Sequence, residues 1–298
     1  MKTNFKNAFL FLSAIVLTTT SCSKDEETVS NNQEEILSIV DEQPNHLEGD
    51  CGYVDGNWSP TAVLSTTIGT SAETNFMNTQ NSKIAAVWGR PAVPLRFVKD
   101  PSNPSSTFNA ISYGSGKIYY GEAIYNAAKA QSSDNIVNAM ILAHEFGHQL
   151  QYTYGLPSQN ESTARAAELE ADGMAGYYLR RPTGFNKTSF SQIAAAYEFA
   201  ASIGDNCTTC PGHHGLSYQR RSAVRLGFLL GAYALNGPNF DYNFFYYYSG
   251  VLSGSYKQNA ASSEYFNPEI DAYIRSHAEE LRRIQSGEMS DEEYFNLN

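Results

Sequence analysis

Asp134-Asn135-Ile136-Val137-Asn138-Ala139-Met140-Ile141-Leu142-Ala143-His144-Glu145-Phe146-Gly147-His148-Gln149-Leu150-Gln151-Tyr152-Thr153-Tyr154 reads as one long helix. Ser132 and Ser133 precede it as capping hydroxyls, Asp134 sits in its first turn, and Gly155 and Pro157 close it. Its C-terminal half carries His144-Glu145-Phe146-Gly147-His148. A spacing of four residues stacks both imidazoles on one helix face, within reach of a single ion. Glu145 falls beside that face, where a carboxylate can take a proton from a metal-bound water. Chance is the competing explanation. With 6 His in 298 residues, composition alone produces the pattern in about one such chain in a hundred.

A catalytic zinc site wants three protein ligands, and the next helix offers the third. Ser158-Gln159-Asn160-Glu161 is a capping-box pattern, and the helix it opens runs to Arg180/Arg181 before Pro182. Within it lies Glu168-Leu169-Glu170-Ala171-Asp172, again with an i, i+4 pair on one face. Two helices joined by the short turn at residues 155–158 pack antiparallel, which can set Glu168 opposite the histidines. Asp172, one turn on, is placed to accept the second ring N–H of a ligand histidine. A solvated helix would carry the same two acids. Ala164, Ala166, Ala167, Ala171, Gly173, Ala175 and Gly176 argue for a closely packed helix instead. Glu170 points off this face and receives no role.

Helices are expected also at residues 73–87, 190–203, 216–235 and 268–285, the last opened by Asn267-Pro268. Strand patterns occur at 92–98 and 117–120, while residues 50–70 and 99–109 read as irregular. The aromatic run 240–248 fits either a strand or a core-facing helix. The fold class expected is α+β, helix-rich with a short mixed sheet, as one domain over residues 47–298. The chain has 20 Lys+Arg against 31 Asp+Glu, for a net charge of −11. With no basic block to neutralise phosphates, nucleic acid is not an expected partner. No apolar run reaches the roughly eighteen residues of a membrane span, so a polytopic membrane protein is not expected.

The first residues look like an export address. Lys2 and Lys6 precede a ten-residue apolar run at 8–17, followed by Thr18-Thr19-Thr20-Ser21-Cys22. The segment resembles a bacterial lipoprotein signal, although Thr19 stands where such signals usually carry Leu. Ser23-Lys24-Asp25-Glu26-Glu27 resembles the acidic export signal of Bacteroidetes-type surface lipoproteins. The resemblance implies a signal peptide over 1–21 and lipidation at Cys22. An acidic tether over 22–46 and an outer-membrane or cell-surface location, held to the membrane through the lipid, follow from it. Cys51, Cys207 and Cys210 remain, and an oxidising setting favours one disulfide among them, with three pairings open. Cys207, Cys210 and His213 have the alternative of holding a second, structural zinc.

The runs 143–151 and 168–176 resemble the bacterial neutral zinc metallopeptidase family, and more distantly thermolysin-type and CAAX-type zinc peptidases. Two more blocks occur in the same order: residues 194–205, an Ala-rich helix ending Ile203-Gly204-Asp205, and His214-Gly215-Leu216-Ser217-Tyr218-Gln219-Arg220. The likeness covers about residues 110–232. It implies a zincin-like domain with one Zn2+ on His144, His148 and Glu168. Glu145 would act as general base and then proton donor, His214 as donor to the developing oxyanion, and Arg220 as a structural ion-pair partner. The activity implied is hydrolysis of a peptide or protein substrate by a zinc metalloendopeptidase. The strand at 117–120 would offer its edge to that substrate. A non-catalytic binding or adhesion lipoprotein on the same scaffold and a zinc amide hydrolase acting on cell-wall material are the alternatives.

Overall fold

Thr70 opens the first helix with a complete capping box, its hydroxyl accepting from the Glu73 N–H while Glu73 reaches back to the Thr70 N–H. That helix, α1 (Ser71–Val87), belongs to a computed structural model that describes residues 58–202, 211–251 and 263–298. All of these fall in one unit, Ser38–Asn298. The expected signal peptide, Cys22, the tether, Cys51, Cys207 and Cys210 lie outside the described residues.

The structure is α+β. Its sheet has four strands, β1 (Val63–Ser65), β2 (Leu95–Lys99), β3 (Ala110–Tyr113) and β4 (Lys117–Gly121), in the order β1-β2-β4-β3. β1 and β2 are antiparallel, β2 and β4 parallel, and β4 and β3 antiparallel, so the sheet is mixed. β4 therefore has partners along both edges and cannot offer one to a substrate, a correction to the sequence reading. β3 is the outer strand on that side of the sheet. The Ile118 N–H donates to Pro94 O at 3.0 Å, away from β3. The Ser112–Ile118 pair is consequently one in which Ser112 turns its own N–H and C=O to the outer edge. β1 and β3, three and four residues long, are too short for an alternation to register.

α3 (Ile136–Tyr154) is the axis of the fold, buried continuously from Ile136 to Gln151. A helix buried all round has no face for water, and two of the polar side chains on α3 tie it to the sheet. Asn138 accepts from the Tyr120 hydroxyl at 2.6 Å, and Gln149 donates to Ser112 Oγ at 2.6 Å, tying the helix to the sheet. α3 begins at Ile136 and not at Asp134, because Asn135 takes a left-handed conformation. α2 (Glu122–Lys129), absent from the sequence reading, buries Ile124, Tyr125 and Ala128 against the core.

α4 (Arg165–Arg180) starts later than the capping-box pattern suggested. Ser158 uses its N–H on Asp241, and Glu161 forms an ion pair with Arg165 at 2.9 Å, so the turn at 155–158 lengthens into a ten-residue connection, 155–164. α5 (Ala194–Ser202) follows a 3-10 turn at Phe190–Ile193. α6 (Ser217–Leu230) packs against α4, and α7 (Gly237–Val251) resolves the aromatic run as helix. The last expected helix divides at His277 into α8 (Pro268–Ser276) and α9 (Ala278–Gln285), with α10 (Asp291–Phe295) after them. Glycine sets the α4–α6 distance. A Cβ on Gly227 would stand 1.8 Å from the Gly173 carbonyl oxygen, so the two backbones meet where no side chain fits.

Candidate metal centre

α3 supplies His144, Glu145 and His148; the first half of α4 supplies Glu168 and Asp172. His144 Nε2 and His148 Nε2 are 3.2 Å apart. Glu168 Oε2 lies 3.4 Å from His144 Nε2, and Oε1 lies 3.7 Å from His148 Nε2. Donors held about 2.0–2.1 Å from a tetrahedral ion stand roughly 3.3–3.4 Å from one another. The three side chains thus occupy corners suited to one metal ion, and they form a group able to hold one.

Hydrogen bonds decide which ring nitrogens point inward. His144 Nδ1 lies 2.9 Å from Asp172 Oδ1. Arg220 closes a fork on the same carboxylate, Nε at 2.6 Å and Nη2 at 2.7 Å. Burial would raise Asp172, but Arg220 and His144 hold it below the usual carboxylate range. An ionised carboxylate only accepts, so Nδ1 of His144 is the donor and Nε2 is the nitrogen turned toward His148 and Glu168; in the neutral ring it carries the lone pair. His148 Nδ1 is 2.7 Å from Gln151 Oε1.

The buried groups of the cluster shift one another's ionisation. Burial lowers both imidazoles. At His144 the hydrogen bonds to Asp172 and Glu168 overcome it and raise the group to about 10, whereas His148 falls to about 4. Glu168 would rise through burial, but His214, His144 and His148 bring it well below the usual range. Burial pushes Glu145 up to about 8 against the pull of His144; the Glu168 charge adds to the rise, and the Ser112 N–H and Arg220 oppose it. Neither Glu145 oxygen makes a hydrogen bond of normal geometry. A fully buried carboxyl left in that state is an expensive arrangement, consistent with a proton-handling task.

His214 lies on the segment 211–216 ahead of α6, near enough for its charge to act on Glu168. Gly215 makes that approach possible. Its φ is +99°, and a Cβ there would be 2.9 Å from Leu169 Cδ2. His213 is buried, whereas Cys207 and Cys210 lie outside the described residues. The cluster is enclosed: Glu145 is 0% exposed, Glu168 1%, and His144 and His148 2% each.

Sequence reasoning passed over three residues. Ser112 stands beside Glu145 through non-local strand pairing, which leaves no local signal. Gln151 is three residues after His148 and was legible by helical spacing. Glu170, given no role, is fully buried and accepts from Gln151 Nε2 at 2.9 Å. Comparisons of the chain with family models, with curated proteins and with solved structures find no match.

Proposed function

We propose that this chain is a zinc-dependent metallopeptidase with a zincin-like domain, related to the neutral zinc metallopeptidases it resembles and exported as a lipid-anchored protein through Cys22. The supporting observation is the convergence of His144 Nε2, His148 Nε2 and Glu168 at mutual distances of 3.2–3.7 Å, with Glu145 alongside. A set of two imidazoles and a carboxylate suits zinc among first-row ions. When bound, such an ion supplies Lewis acidity, polarising a carbonyl and acidifying water.

The chain's own groups do the rest. Glu145 accepts the proton of the attacking water at its carboxylate and delivers it to the leaving amine nitrogen. Its isolation from regular hydrogen-bond partners keeps both oxygens available for that transfer. His214, beside Glu168, donates to the carbonyl oxygen as negative charge grows there. Asp172 and Arg220 keep His144 aimed. β3, with Ser112 turned outward beside Glu145, is the strand edge along which an extended peptide would pair.

Glu145→Gln tests this reading. Turnover of casein is expected to fall by about 10²–10⁴-fold, with one zinc per chain retained and the fold unchanged. Wild-type hydrolysis by the variant would remove Glu145 from the mechanism. One observation favours a second reading. Structural metal sites are closed and catalytic ones keep access, and this cluster is enclosed. Under that reading the chain is a non-catalytic binding or adhesion protein. It would hold zinc stoichiometrically, cleave neither a peptide library nor peptidoglycan, and fail to bind a hydroxamate chelator.

A further inference from the structure

The two histidines are oriented by different chemistry. His144 leans on an ionised carboxylate, whereas His148 faces a neutral amide, and an amide has two ends. Which end faces the ring follows from its other contacts. Gln151 Nε2 lies 2.8 Å from the Ala167 carbonyl oxygen and 2.9 Å from Glu170 Oε2. A backbone carbonyl can only accept, so the nitrogen must be on that side and Oε1 must face the ring. Oε1 in turn can only accept, which makes His148 Nδ1 the donor at 2.7 Å.

We propose that Gln151 is a positioning residue for the metal site. Its amide holds His148 in the tautomer whose Nε2 lone pair faces Glu168 and His144, while Glu170 and the Ala167 carbonyl hold the amide.

The geometry extends outward from there. Gln151 is 1% exposed and Glu170 0%, so no water competes for these bonds. Asp241 on α7 packs against Glu170 and accepts from the Ser158 N–H at 2.8 Å. His148 is thereby linked through side chains to α4, to α7 and to the connection ahead of α4. The ordinary alternative is a buried amide that merely satisfies the Ala167 carbonyl. It does not account for Oε1 being aimed at a ligand imidazole, nor for a buried acid placed on the amide nitrogen. The inference rests on the metal site proposed above but not on hydrolysis, and its test reads metal and tautomer, not turnover.

The full chain is stripped of metal, titrated with Zn2+ against a chromogenic chelator, and examined by NMR with 15N-labelled histidine; circular dichroism reports the fold. In the wild type, His148 is expected with its proton on Nδ1. Gln151→Met, similar in size but without the acceptor, should weaken zinc binding by about 10–100-fold and release His148 into a mixture of tautomers. Glu170→Met should weaken zinc less, because the Ala167 carbonyl still holds the amide. The proposal is overturned if folded Gln151→Met binds zinc as tightly as wild type, or if it keeps the Nδ1–H tautomer. Should Gln151→Met not fold, the wild-type spectrum decides: a proton on His148 Nε2 refutes the proposal, and one on Nδ1 with weakened zinc in Glu170→Met sustains it. Absence of peptide hydrolysis in every form would remove the peptidase reading and leave this one standing.

Discussion

Asp172 and Arg220 form a buried ion pair beside the candidate metal site. Both are at most 1% exposed, and Arg220 spends two of its donors on one carboxylate. Removing one partner of such a pair leaves a buried charge uncompensated, at a cost of about 3–5 kcal/mol. Arg220→Met is accordingly expected to lose about that much stability in urea denaturation and to weaken zinc binding, since Asp172 then loses its anchor. Asp172→Leu combined with Arg220→Met should unfold at higher urea than Arg220→Met alone, because no charge is stranded. Equal midpoints for the single and double variants would show that the penalty has another origin. At this scale much could be read in advance. His144 with His148, and Glu168 with Asp172, declare themselves by spacing, because helical periodicity is a local property. Arg220 is different. It lies 48 residues from Asp172 in sequence, and only a family likeness pointed to it.

Between elements, the α4–α6 crossing decides whether the Arg220 fork reaches Asp172 at all. Gly227→Ala puts a methyl group where the Gly173 carbonyl oxygen now sits. The helices must separate, at a cost of about 1–3 kcal/mol, which for a chain of this size lowers Tm by roughly 2–4 °C per kcal/mol. The measurable companion is zinc affinity, expected to fall with the loosened fork. An unchanged Tm together with unchanged affinity would mean that the crossing tolerates a side chain. α1 supplies the pH-dependent case. Glu73 is lowered from 4.5 to about 2 by its hydrogen bond to Lys129 on α2 and by the Thr70 N–H and hydroxyl. Its folded value lies below its unfolded one, so its contribution is complete above about pH 4.5 and disappears as pH falls toward 2. Glu73→Gln should cost about 0.5–1 kcal/mol at pH 7 and flatten the stability curve between those two pH values. A parallel loss at every pH would refute the assignment. The capping signal at Thr70 and Glu73 produces a helix start, while the similar pattern at Ser158–Glu161 does not. Its groups are drawn to Asp241 and Arg165, long-range and local partners that a motif cannot foresee.

Over the whole molecule, the candidate metal-binding side chains join the central helix to α4, and α6 holds the arrangement through Arg220. An ion that binds only this folded arrangement stabilises it by mass action, about 4 kcal/mol at a thousandfold excess over its Kd. Zinc should raise the thermal midpoint, EDTA should reverse the rise, and Glu168→Ala should abolish it while leaving a folded protein by circular dichroism. A zinc-dependent rise that survives in Glu168→Ala would place the ion elsewhere.

The sequence by itself determined the helix-rich class, the central helix, and the two i, i+4 pairs on their respective faces. These follow from local periodicity and composition, and an α+β structure with those helices is what the chain forms. Only the tertiary structure decided that Glu168 meets His144 and His148 at 3.4–3.7 Å. It alone placed β4 in the interior of the sheet with β3 at the edge beside Glu145, and turned Gln151 and Glu170 from unassigned polar residues into supports for His148. Each of these depends on strand pairing or helix crossing between segments far apart in sequence, and those contacts are chosen by packing of the whole chain, which no local pattern encodes.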